Sequence, residues 1–239
     1  DVYKRQVDIV DVINKQVLPR HEIVINNAMI DIVRPQPALS TPARITIDGS
    51  RMIAVPGFVN THTHLWQHAA KGFCSHCILQ EWTRIYRMAH YFTENDVYEV
   101  TLAAASDALL SGITTVLDFT SMNFSEFVLD QTFEAMLDAG LHGAVVWWHP
   151  ASFIPSDIRK QEIMRLQETY SRRGIDIWMG QGPLSFFSLP AVYDGILLAK
   201  SLKMRLTEHT MENIQEQRDL YQHLSAYLAA HGDELLPDD

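Results

Sequence analysis

The sequence predicts an α/β protein in which a small β-rich segment precedes a parallel sheet built from about five strand–helix units. Three observations carry this. From Val7 to Val55 the chain consists of short β-branched pieces separated by turn residues. After Pro56-Gly57, apolar runs of strand length alternate with helical stretches, the pattern of βα units. Helical stretches stop at Gly112, Gly140 and Gly174, and an apolar run begins at or just after each of these glycines.

In chain order, residues 1–6 (DVYKRQ) match no pattern in the rest of the chain and are encodable by the transposase end sequence used to tag DNA libraries. They are expected to be a non-native adaptor scar. Residues 7–56 hold VDIVDVI, HEIVINNAMIDIV, ARITI and RMIAV, with turns expected at Asn26-Asn27 and Asp48-Gly49-Ser50. Residues 57–239 form the second domain. Its strands are expected at Phe58 to His64, Gly112 to Thr120, His142 to Trp148, Gly174 to Gly182 and Lys203 to His209. The first long helix opens on a capping box, Thr93-Glu-Asn-Asp96, and runs towards Gly112. Others are expected from Ser125 to Ala139, from Ser156 to Arg173, from near Pro190 in a first-turn position, and from Met211 to Ala230. A closed (β/α)8 barrel takes ~250 residues, and about 180 remain from Phe58 to Asp239. The second domain is therefore either an open five-stranded α/β sheet or part of a barrel.

Composition narrows the partners. With 47% hydrophobic residues the chain can bury a sizeable core. A formal net charge of -10, with Lys and Arg scattered singly or in pairs, offers no basic stripe for phosphates, so no nucleic-acid partner is expected. No apolar window reaches the ~18 to 20 residues of a membrane span and no signal-peptide pattern is present, so a cytoplasmic protein without membrane contact is expected. Cys74 and Cys77, in CSHC, could form a redox pair or half a zinc site, but no second pair completes one. Two reduced loop thiols are the favoured expectation.

Chemistry is sought at the strand ends, where loops at the carboxyl edge of a parallel sheet vary while the sheet holds them. The first strand ends VPGFVNTHTHL, so His62 and His64 lie two apart and project from the same face. The fifth ends at His209, followed by Thr-Met-Glu212. Three neutral imidazoles can hold Zn²⁺ or Fe²⁺, and Glu212 could carry the proton of an activated water to a leaving group. Each residue also has a plainer reading. A chain with 11 histidines yields an occasional His-x-His pair by chance, His209 fits a strand-end core position, and Glu212 fits a first-turn acid facing the helix dipole. Alternation places His209 on the face of Arg205 and Thr207, an unusually polar lining. Trp66, Trp147, Trp148, Phe186 and Phe187 could line an aromatic pocket, although core positions are the commoner fate of such residues.

Together, VPGFVNTHTHLWQ and the later LTEHTMEN resemble the amidohydrolase superfamily, and within it the cytosine deaminase, guanine deaminase and triazine chlorohydrolase branch. The resemblance covers nearly the whole chain after Gln6. It implies a partial (β/α)8 barrel preceded by a β-sandwich segment. It also implies one divalent metal, zinc or iron, on His62, His64 and His209, with Glu212 as proton shuttle and Gln67 touching the substrate. The end of the fourth strand, WMGQGP, has no lysine to bridge two metals. The implied reaction is attack of metal-activated hydroxide on a ring carbon of an aminated heterocycle or cyclic amidine. A small heterocyclic substrate, and homo-oligomerisation of the full-length protein, go with it.

Members of that family also use a histidine after strand six and an aspartate after strand eight. His231 comes too soon after the fifth helix, and Asp238 and Asp239 have no strand before them. The expectation is therefore an N-terminal fragment of a larger enzyme with little activity of its own. The alternative is a non-catalytic half-barrel that serves as a binding or assembly module.

Overall fold

The structure is a computed structural model of the chain, describing residues 2–36, 42–120, 128–148, 156–181, 189–210 and 212–231. It divides into two compact units, Asp1–Gly57 and Phe58–Asp239.

The first unit is one mixed sheet of β1 (Val2–Asp11), β2 (Gln16–Asn26), β3 (Met29–Pro35), β4 (Ile45–Asp48) and β5 (Ile53–Ala54). The order is β3-β2-β1-β4, with β5 also on β1. Strands β1 to β3 are antiparallel, whereas β4 and β5 run parallel to β1. Asn27 and Ala28 join β2 to β3 with φ of 49° and 62°. Two left-handed residues give the hairpin turn whose twist suits the flanking strands. The β1–β2 turn is organised by Asp11, whose carboxylate accepts from the Ile13 and Asn14 backbone and the Asn14 and Gln16 side chains. These bonds, those from Asn14 foremost, hold the Asp11 carboxyl down at about 2. Val2 to Gln6, expected to be foreign, run into β1, where the ladder shifts between Lys4 and Val7. Val7, Ile23 and Val24 are buried, and buried Glu22 is paired with Arg34.

The second unit begins with β6 (Phe58–Thr63), a 3-10 turn at Leu65–Ala70, and two short helices, α1 (Leu79–Trp82) and α2 (Tyr86–Ala89). Strands and helices then alternate: α3 (Glu94–Leu110), β7 (Ile113–Thr120), α4 (Val128–Ala139), β8 (His142–Trp148), α5 (Ser156–Tyr170), β9 (Ile175–Gln181), α6 (Leu189–Ser201), β10 (Leu206–Glu208) and α7 (Ile214–His231). The strands pair in the order β10-β9-β8-β7-β6, and every pairing is parallel. Sequential parallel strands with a helix after each describe a partial (β/α)8 barrel of five units. Between β6 and α3, the 3-10 turn and the short helices form a region that the periodicity of the sequence did not divide into elements.

Local signals explain the boundaries. Thr93 caps α3 with its side chain accepting from Asp96 N–H, while the Asp96 carboxylate accepts from Thr93 N–H, a complete capping box. Gly140 and Gly174 take φ of 81° and 98°, the left-handed conformation that stops a helix before the next strand. Strand β10 is shorter than the sequence suggests, because Lys203 N–H and Met204 N–H still close onto Lys200 and Ala199 carbonyls at the end of α6. Ser125, Gly182 and Met211, expected at element ends, lie outside the described residues.

The main core sits between the sheet and its helices, with Phe133, Met136, Val145, Ile163, Leu166 and Ile177 all buried. Each such side chain contributes roughly 1.5–3 kcal/mol. In β8 the run Ala144 to Trp147 is buried without alternation, as expected for a strand covered on both faces. A second cluster packs Trp66 with Ile85, Ala89 and Val97. Trp66 and Trp147 are thus core residues. Phe186 and Phe187 lie outside the described residues, as does the Trp148 side chain.

Cys74 and Cys77 correct an expectation. The turn brings their Cα atoms to 5.0 Å and a disulfide joins them, where two reduced thiols were favoured. That separation lies within the range a disulfide bridges. Among the described residues, no helix is long and apolar enough to cross a membrane.

Candidate metal centre

Strands β6 and β10 lie at opposite edges of the sheet. Laid flat, four interstrand gaps of ~4.8 Å would separate them by roughly 19 Å. Yet His62 Nε2 lies 3.3 Å from His64 Nε2 and 3.1 Å from His209 Nε2. The sheet is curled, and its two edge strands face each other across the carboxyl end.

Among the described residues, His62, His64 and His209 offer ligand atoms that all lie within 4.8 Å of one another. Two tetrahedral zinc ligands at ~2.0–2.1 Å from the ion sit roughly 3.3 Å apart, so the observed spacings suit one ion. His64 Nδ1 is 2.6 Å from the Phe119 carbonyl. A carbonyl only accepts, so Nδ1 carries the hydrogen and the Nε2 lone pair of the neutral ring faces the cluster. Burial pushes His64 and His209 down to about 4, and lowers His62 below its ordinary value. All three rings are therefore neutral at pH 7, the form that binds metal.

The backbone around this cluster is irregular for a reason. The β6–β7 ladder is broken between Asn60 and Thr63. In its place Asn60 Oδ1 accepts from His62 N–H at 3.2 Å, and Asp118 Oδ1 accepts from Leu65 N–H at 2.8 Å. Asp118 is 1% exposed, its other oxygen has no partner, and burial pushes it up to about 7. The neighbouring Phe119 ring packs at 4.1 Å from the His209 ring and 5.7 Å from that of His62. Asp118 and Phe119 were missed by sequence reasoning. The available signal was a carboxylate set between Leu117 and Phe119 near the end of GITTVLDFT.

Glu212 lies in the turn between β10 and α7 and is exposed. Its N–H donates to Glu216 Oε2 at 2.6 Å, while Asn213 Oδ1 accepts from Glu216 N–H at 2.9 Å, capping α7. Desolvation, with repulsion from Glu216, raises the Glu212 carboxyl above its usual range. Gln67, in the 3-10 turn after His64, is half-buried, with its Nε2 buried and unpartnered. Arg205 lays its guanidinium 5.1 Å from the Trp178 ring centroid, which accounts for one of the polar residues near the fifth strand. Strand β9 ends IDIWMGQ, without a lysine, and His231 is the last residue of α7. Asp238 and Asp239 lie outside the described residues.

The model of the Amidohydrolase family matches residues 53–228, and the chain belongs to that family. A 5-methylthioadenosine/S-adenosylhomocysteine deaminase from Symbiobacterium thermophilum is 32% identical over 148 residues, covering 60% of this chain and 31% of that relative. The chain thus matches less than a third of that relative's length. Among solved structures, triazine hydrolase from Arthobacter aurescens superposes with a TM-score of 0.76 at 23% identity, covering 97% of this chain and 58% of the other. A zinc-bound adenosine deaminase from Xanthomonas campestris gives a TM-score of 0.75 at 20% identity, covering 97% and 52%. At these identities the two structures speak for the fold.

Proposed function

We propose that this chain carries the metal-binding half of a deaminase acting on an amino-substituted heterocycle of the purine type, with His62, His64 and His209 holding one divalent ion. The observation that carries the reading is the convergence of three neutral imidazoles from opposite edges of the sheet, with Nε2 spacings of 3.1 and 3.3 Å. Zinc is the ion we favour, in keeping with the donor set and with the zinc named for the similar adenosine deaminase. A zinc ion bound there would bring the pKa of a coordinated water from ~15.7 towards ~7.

The roles proposed for the chain's own residues follow from chemistry. Glu212, its carboxyl raised above its usual range by desolvation, would take the proton of the attacking water and pass it to the departing amine. Gln67 offers a buried, unpartnered amide to a ring nitrogen or carbonyl. The deaminase assignment, rather than dechlorination, rests on the adenosine-derivative deaminases among the relatives.

The test is metal analysis of chain purified without chelators, followed by an ammonia-release assay on 5′-substituted adenosines. About one zinc per chain, lost in His209→Ala, is expected. We propose weak turnover for residues 1–239 alone and robust turnover for a longer chain, abolished by Glu212→Gln. A wild-type chain that takes up no metal would overturn the reading in favour of a binding module.

A further inference from the structure

We infer that the dipeptide Asp118-Phe119, at the end of β7, positions all three imidazoles of the proposed metal centre, although neither residue offers a ligand atom to it. The inference rests on that centre. Its warrant is four contacts, of three kinds, made by two adjacent residues.

First, Asp118 Oδ1 accepts Leu65 N–H, fixing the chain at the residue after His64. This matters because the ladder that should hold the end of β6 is irregular between Asn60 and Thr63. Thr63 is the strand partner of Asp118. One buried carboxylate therefore takes over from the sheet at the point where the ligands project. Second, the Phe119 carbonyl accepts His64 Nδ1–H and so selects the tautomer whose Nε2 lone pair is free. Third, the Phe119 ring stands edge-on to His209, with an interplanar angle of 76°, and tilts against His62. His209 lies on the loop after a three-residue strand, so packing must supply the rigidity the ladder does not.

An apolar residue at position 118 would leave Leu65 N–H without its acceptor in a buried setting, and the turn would have to move to recover one. Asparagine keeps an acceptor oxygen at nearly the same volume. The two substitutions therefore separate hydrogen-bond positioning from simple filling of space.

The test measures zinc affinity by competition with a chromophoric chelator. Asp118→Ala should weaken zinc binding ~10–100-fold, and Phe119→Leu about 10-fold, whereas Asp118→Asn should stay within about 3-fold of the wild type. Far-UV circular dichroism checks that each variant is folded. If Asp118→Ala fails to fold, Asp118→Asn and Phe119→Leu still decide the matter. Wild-type affinity in Asp118→Ala or Phe119→Leu, or a loss of about 10-fold or more in Asp118→Asn, would overturn the inference.

A metal-free arm separates this inference from the centre it rests on. In the apo chain, ¹⁵N shifts should show His64 protonated on Nδ1, and Leu65 N–H protected from exchange in the wild type but not in Asp118→Ala. A wild-type His64 protonated on Nε2 would sink the positioning role whatever zinc does. The expected apo signatures in a chain that takes up no zinc would remove the metal and leave the positioning of the imidazoles standing.

Discussion

At the scale of single residues, two positions outside the histidine cluster show how tightly the backbone is specified. Gly143 has φ of 148°, and a Cβ built on it would meet the Val116 carbonyl at 1.9 Å. Val116 is its strand partner, so this clash falls in the β7–β8 ladder. Gly143→Ala should lower stability by at least ~2 kcal/mol, read as a lowered denaturant midpoint. Asp11 provides a pH prediction. Its folded value of about 2 lies below the ordinary 3.8, so its turn-stabilising effect is present above pH ~4 and lost as pH falls through about 2. A carboxyl ¹³C titration with a midpoint near 4 would contradict this. His62, His64, His209 and Glu212 were legible as candidates because two motifs sit at strand ends. Asp118 and Phe119 were not, because one works through the neighbouring strand's backbone and the other through a carbonyl that every residue possesses.

Among elements, the helix caps are the features the sequence announced most openly. Thr93-Glu-Asn-Asp96 forms the reciprocal box its pattern suggests, and Thr93→Ala should cost about 1 kcal/mol in chemical denaturation. A less visible joint ties α5 to α6, where buried Arg159 pairs with Asp194. Removing the acid strands a guanidinium that is 2% exposed. Asp194→Ala should destabilise by about 2 kcal/mol, and Arg159→Met in the same chain should recover part of it. Strands β7 to β9 were readable to within a residue because continuous apolar runs flanked by glycine leave few alternatives. The stretch from Leu65 to Phe92 was not. Its 3-10 turn and four-residue helices are set by packing of Trp66 against Tyr86 and Phe92, which leaves no period along the chain.

On the scale of the barrel unit, the sequence order of strands and their parallel pairing followed from the alternating pattern, but the curl of the sheet did not. Curl emerges only when the distance between His62 and His209 is known. If the proposed ion binds, it stabilises the folded unit in proportion to its occupancy, about 2.7 kcal/mol at one hundred times its dissociation constant. A zinc-dependent rise in melting temperature, absent in His62→Ala, is expected. The two nitrogens that meet at 3.1 Å belong to residues 147 positions apart, at the two rims of one continuous sheet. The site is therefore a gauge of the whole scaffold. If the ion binds as proposed, a lesion that flattens the sheet would separate the rims, and Gly143→Ala, remote from the ligands, should then weaken metal capture. Metal affinity measured across core variants would chart how faithfully each strand transmits curvature to the mouth of the barrel.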